Sequence, residues 1–183
     1  MPDHINLSPL TLATLCQLFV KPQSGYDLKK TFEETPMGHF SSSPGAIYPA
    51  IKRMEKSGWI IGSKANADTM RPSKLLSITE SGLEILKSYF ESPVKREHVI
   101  HDLDKLMLRF AFTTPLLGRP ATIRFLEQFI SALAAYVEEL TVTSKQYEND
   151  PLEGRLALKQ GLDSYIAQLE WARQSLLELS GAS

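Results

Sequence analysis

Apolar residues recur along most of this chain at steps of three and four, the spacing of one helix face, and the beat changes only between residues 59 and 78. Leu10, Leu12, Ala13, Leu15, Cys16, Leu18, Phe19 and Val20 make the first such stretch apolar on most sides. With Ser8-Pro9 ahead of it, this predicts a core helix opened by a capping serine and a first-turn proline. Lys21-Pro22-Gln23 breaks it. Ser24, with Asp27 three residues on, has the form of a capping box, so a second helix is predicted over about 25–34 with Tyr26, Leu28 and Phe32 apolar. A turn at Thr35-Pro36-Met37-Gly38 then leads through His39, Phe40 and three serines.

The next stretch, 43–58, reads SPGAIYPAIKRMEKSG. Ser43 caps, Pro44 occupies the first helical position and Gly58 stops the helix. Ile47, Ala50, Ile51 and Met54 share one dry face, while Tyr48, Lys52, Arg53 and Lys56 project from the rest. Pro49 deletes one backbone donor, which predicts a bend or a tight first turn. Trp59-Ile60-Ile61 and Lys74-Leu75-Leu76-Ser77-Ile78, separated by a polar segment, predict a two-stranded hairpin with a mobile tip. Thr79 then caps a helix over about 80–90. Three helices followed by a hairpin is a winged helix-turn-helix.

Pro93 to Glu97 interrupts two periodic segments and marks a boundary, giving a winged helix-turn-helix domain over 1–92 and a helical domain over 93–183. In the second, one helix is predicted over about 99–112 with Leu103, Leu106, Met107 and Phe110 on one side, closed by Thr113-Thr114-Pro115. A long helix follows over about 120–147, striped by Ile123, Leu126, Ile130, Leu133, Val137 and Leu140. After the capping signature Asp150-Pro151-Leu152-Glu153, Leu158, Leu162, Tyr165, Leu169, Ala172, Leu176 and Leu179 keep the same beat. Helices of about 40 Å, at 1.5 Å per residue, are too long for so small a domain to cover, which predicts burial against a second subunit. The fold class is therefore mainly α, with a coiled-coil-like dimerisation domain after the winged one.

Composition adds little until its distribution is considered. The 183 residues are 43% hydrophobic and 22% charged, as in a soluble globular protein, and no apolar run or leader-like N-terminus points away from the cytoplasm. The single cysteine, Cys16, falls in an apolar run and reads as a small buried hydrophobe. The net charge is −1, yet 41–75 holds six basic residues against two acidic ones, so +4 gathers there and the remainder carries −5. A basic patch in an otherwise acidic chain is the footprint of a face that meets phosphate.

The order and spacing of Ser24-Gly25-Tyr26-Asp27-Leu28, Gly38-His39-Phe40, Ile47-Tyr48-Pro49-Ala50-Ile51, Arg53-Met54-Glu55, Gly58 and Ser77-Ile78-Thr79-Glu80-Ser81-Gly82 resemble the PadR family of bacterial transcriptional regulators, in its form with a long helical C-terminal domain. Ser41 stands where family members commonly carry tryptophan. The resemblance implies a homodimer, joined through the C-terminal helices, that represses transcription and releases DNA when a small aromatic, often phenolic, acid binds. It also implies that Pro49 is an ordinary feature of the helix.

Site candidates follow from these elements. In a winged helix the start of the third helix enters the major groove, which selects Ser42, Ser43, Ala46 and Tyr48 for base or phosphate contact and Lys52 and Arg53 for phosphate. From the wing, Lys64, Arg71 and Lys74 would grip the backbone of an inverted-repeat DNA operator. Trp59, Tyr89, Phe90, Phe110 and Trp171 are candidates for a flat effector's pocket, with Arg109 for its carboxylate, against core packing as the plainer reading. His98, His101, Asp102 and Asp104 lack the further ligands of a metal site, and no nucleophile with a base or phosphate cradle supports an enzyme or a cofactor. The competing class is a protein-interaction scaffold that binds no DNA.

Overall fold

The Ser8-Pro9 start holds. Ser8 Oγ accepts the Thr11 N–H at 3.2 Å and Pro9 opens α1 (Pro9–Val20). Leu12, Ala13, Leu15 and Cys16 on α1 are fully buried, and Thr14 joins them because its hydroxyl donates to the Leu10 carbonyl at 2.7 Å. Burial also pushes the Cys16 thiol far above its usual range, so it packs as a hydrophobe. The computed structural model describes residues 7–35, 43–64 and 74–181, and the chain divides into two compact units, Met1–Glu91 and Ser92–Ser183.

In the first unit, α2 (Gly25–Glu34) begins with the box read from the sequence: Ser24 Oγ accepts the Asp27 N–H and the Asp27 carboxylate accepts the Ser24 N–H, at 3.1 and 3.2 Å. After α3 (Pro44–Lys56) the chain forms β2 (Ile60–Lys64) and β3 (Lys74–Ile78), paired antiparallel from Ile60↔Ile78 to Lys64↔Lys74. The expected two-stranded hairpin is a three-stranded sheet. A two-residue strand, β1 (Gln23–Ser24), pairs with Leu76 and Leu75 on the free edge of β3, giving the order β1-β3-β2. Two residues are too few to show a period, and their partners lie some fifty positions away, so no local pattern announces them.

Thr79 joins the sheet to α4 (Glu80–Glu91): its hydroxyl accepts the Gly82 N–H at 3.1 Å and donates to the Gly58 carbonyl at 2.6 Å. Gly82 is required by this approach, since a Cβ there would overlap the Trp59 carbonyl oxygen and stand 2.9 Å from its carbon. Phe32, Leu28, Ile47, Met54, Leu76 and Leu86 close the core around α1. A winged helix-turn-helix results.

The second unit is wholly helical among the described residues. The single helix expected over 99–112 is two: α5 (Arg96–His101) and α6 (Leu103–Leu117), broken at Asp102, which leaves helical geometry at φ −130° and ψ 27°. Nor does Pro115 close α6. The helix carries it in its last turn and ends at Gly118, whose φ of 85° suits glycine. Antiparallel α7 (Arg119–Lys145) and α8 (Leu152–Gly181) then pair, with Tyr136 on Tyr165 at 5.0 Å and the Arg119 guanidinium donating to the Leu179 carbonyl.

The two stripes therefore bury one another in part within one chain, rather than leaving all their covering to a second subunit. Leu126 and Leu133 meet Leu169 and Ala172 in one cluster. On α7, Phe125 and Phe129 stack at 6.1 Å and are buried with Val99 and Leu106 of α5 and α6, a second apolar face that the single stripe did not include. No described helix is long and apolar enough to cross a membrane.

Candidate nucleic-acid interface

The dry side of α3 is as the spacing predicts: Ile47, Ala50 and Met54 are about 1% exposed and Ile51 6%. Pro49 sits inside a helix that continues from Pro44 to Lys56. Ser43 is the N-cap residue, but its carbonyl alone supplies the start, accepting from Ala46 and Ile47 at 2.9 and 3.0 Å without a side-chain cap bond. At the other end the Trp59 N–H reaches the Met54 carbonyl and the Gly58 N–H the Glu55 carbonyl, with Gly58 at φ 72°. That is a Schellman stop, and it hands the chain directly to β2.

With one side sealed, α3 presents Tyr48, Lys52, Arg53 and Lys56 to solvent, Ala46 half-buried and Ser43 exposed. Tyr48 is 46% exposed, and its ring borders Gly25, where a Cβ would stand 3.0 Å from the ring edge. The ring is thus braced by the start of α2 while its outer part stays free. Such bracing limits the conformational freedom a contact would otherwise have to remove.

One wing cation has a partner on another element: Lys74, assigned to the DNA backbone, forms an ion pair with Glu55 in the last turn of α3. Ser42 and Arg71 lie outside the described residues, as does the side chain of Lys64, whose backbone pairs with Lys74. The Phe40-Ser41 position also lies outside them.

The aromatic candidates fall into two sets. Phe90 is buried in the first unit, edge-on to Tyr89 at 6.1 Å, and Trp59 is half-buried there with its carbonyl accepting the Thr79 N–H. In the second unit Phe110 meets Trp171 edge-on at 5.1 Å, and Trp171 remains 38% exposed. Arg109, chosen for an effector's carboxylate, is 4% exposed, donates to the Ser92 carbonyl and hydroxyl, and lies 5.1 Å over the Phe125 ring. Its charge is already engaged in tying the start of this unit to α6 and α7. His98 likewise serves the fold, its Nδ1 accepting the Lys95 N–H at 3.1 Å.

Residues 14–88 match the model of the transcriptional regulator PadR-like family. Over that span the chain is similar to PadR-like regulators. Members of the family are transcriptional regulators, not enzymes. Similar solved structures include Bacillus subtilis PadR in complex with operator DNA, 22% identical over 93% of this chain and 98% of that one, with a TM-score of 0.42. A PadR-like transcriptional regulator from Bacillus cereus is 25% identical over 95% and 97%, with a TM-score of 0.42. Bacillus subtilis PadR in complex with p-coumaric acid is 21% identical over 98% and 99%, with a TM-score of 0.40. No curated protein matches the chain.

The PadR-like span takes in α2, α3 and the sheet, and so every candidate from Ser42 to Lys74, whereas Arg109, Phe110 and Trp171 lie beyond it. It also holds Tyr26 and Lys29, near Tyr48. Tyr26, in the first turn of α2, is 67% exposed, and Lys29, paired with Glu33 at 2.6 Å, lies within electrostatic reach of both Tyr26 and Tyr48. The Glu33 partner holds the Lys29 ammonium above its usual range.

Proposed function

We propose that this PadR-like protein is a homodimeric transcriptional repressor of the cytoplasm that holds an inverted-repeat operator with α3 and releases it when a small aromatic effector binds. The observation that carries the DNA reading is the two-sided build of α3: Ile47, Ala50, Ile51 and Met54 fix it in the core, leaving Tyr48, Lys52, Arg53 and Lys56 together in solvent. Ser43, Ala46 and Tyr48, with Ser42, are assigned to the groove, and Lys52 and Arg53 to phosphate. Lys64 and Arg71 are assigned to the wing's grip. Residues 1–92 bind DNA and 93–183 dimerise and receive the effector.

The phenolic class of effector is supported by the family resemblance and by the presence of clustered aromatic rings such as Phe110 and Trp171. Titrating a panel of hydroxylated aromatic acids against the protein–DNA complex tests it, and a panel that neither binds nor dissociates the complex removes this class. For DNA, affinity for operator and random duplex is measured across salt. Tyr48→Ala, checked for folding by circular dichroism, should weaken operator binding more than random binding by roughly the 1–3 kcal/mol of a lost base contact. An unchanged ratio removes Tyr48 from the reading role. Capture of a protein partner without any salt-dependent duplex binding selects the scaffold reading instead.

A further inference from the structure

Lys74 has an unusual setting for a wing cation. Its aliphatic stem crosses the backbone of Gly62 on β2, where a Cβ would stand 2.7 Å from Lys74 Cδ and 2.8 Å from Cγ. Any side chain at Gly62 would turn the lysine away. The open lane directs the ammonium to the Glu55 carboxylate, itself largely covered at 24% side-chain exposure. Glu55 is also oddly placed by itself, because it lies in the last turn of α3, where the helix dipole disfavours a negative charge and Arg53 and Lys56 are the matched residues. A cation delivered from β3 offsets that penalty.

We propose that Lys74 is a positioning residue rather than a phosphate contact: through Glu55 it ties the base of the wing to the reading helix, and Glu55 in turn withholds it from DNA. This rests on the DNA reading of α3. It predicts a division of labour in which phosphate affinity comes from other cations, and the pair sets the angle between helix and wing.

The salt dependence of binding separates the two roles. A lysine that neutralises phosphate contributes about 0.9 to the slope of log affinity against log salt, up to about twice that in a dimer. Lys74→Met should therefore leave the slope at the parental value while weakening operator binding severalfold. Glu55→Gln, which frees the ammonium, should steepen the slope by about 0.9 or more. The exchanged pair, Lys74→Glu with Glu55→Lys, should recover operator affinity lost in either single change. A flattened slope in Lys74→Met, or an exchanged pair no better than the worse single variant, overturns the proposal.

A second measurement needs no DNA. Urea unfolding of the parent, Lys74→Met, Glu55→Gln and the double variant should show a coupling of about 2- to 5-fold in the unfolding constant, the size of an exposed ion pair. Independence of the two changes overturns the pair itself. A parent that binds no duplex removes the DNA reading, and the urea coupling still decides separately whether Lys74 and Glu55 act together.

Discussion

α1 and α8 are opposite solutions to the same problem. The shorter, 12 residues, keeps Leu10, Leu12, Ala13, Leu15, Cys16 and Leu18 in the core, while the longer, 30 residues, fully buries only Leu169 and Ala172 among its described side chains. On α8, Leu152 and Leu156 are each 55% exposed and Leu177 68%. A helix gains most of its stability from the face it buries; α1 is held within its own unit, while α8 keeps several large apolar side chains in solvent. The difference turns the proposed dimer into something that can be broken selectively.

The largest effect is expected from removing α8. A chain ending at Asp150 should be monomeric or aggregated and bind operator weakly, as measured by light scattering and gel shift. Because α7 loses its intrachain partner as well, the sharper variant is Leu152→Ser with Leu156→Ser and Leu177→Ser, which leaves Leu169 and Ala172 in place. It should raise the dimer dissociation constant at least about tenfold, the ~1.4 kcal/mol expected when several half-exposed leucines cease to be buried between subunits. A soluble dimer of parental affinity places the interface elsewhere.

Next in size is a matched pair of truncations. Leu15→Ala should cost about 2–5 kcal/mol in urea unfolding, because its fully buried site cannot fill the cavity. Leu156→Ala should change the unfolding of isolated monomers by no more than about 0.5 kcal/mol. Equal losses would mean that α8 is as tightly integrated as α1. Between these limits, Gly82→Ala should cost about 1–3 kcal/mol, since the methyl group meets the Trp59 carbonyl rather than a yielding side chain.

The same contrast between local and distant causes explains what the sequence disclosed. The limits of α2 and the stop of α3 were legible because Ser24, Asp27 and Gly58 act on backbone groups within a few residues. The buried face of α3 was legible because one helix period contains it. Pro115 misled, since a proline in the final turn sacrifices one hydrogen bond without ending the helix there. Asp102 breaks the preceding pair without any glycine or proline to mark it. The engagement of Lys74 by Glu55 and of Arg109 by Ser92 was hidden because each partner comes from another element. Charge is visible in a sequence, but its occupancy is not.

The smallest predicted effect comes from comparing two helix starts. At α2 the acceptor that returns to the N-cap N–H is the Asp27 carboxylate; at α5 it is the His98 imidazole, through Nδ1. Burial, the main cause, holds His98 below its ordinary pKa of 6.5, reinforced by Arg109 and Lys95 and opposed by Glu97 and Asp102. The folded form therefore favours neutral His98, and the unfolded chain takes up the proton first as pH falls. Its contribution is intact above about 6.5 and is lost as pH drops through the lower folded value. Protonation at Nδ1 would also convert the acceptor into a donor facing the Lys95 N–H. His98→Asn keeps a polar acceptor that does not titrate. Between pH 7.5 and 5.5 the parent should lose more stability than this variant, by no more than the ~0.5–2 kcal/mol of a helix cap. Amide exchange at Lys95 and along α5 should locate the loss, while exchange in α2, begun by Ser24 and Asp27, should change equally in both proteins. Equal pH dependence in parent and variant at α5 would show that its start does not depend on the charge of His98.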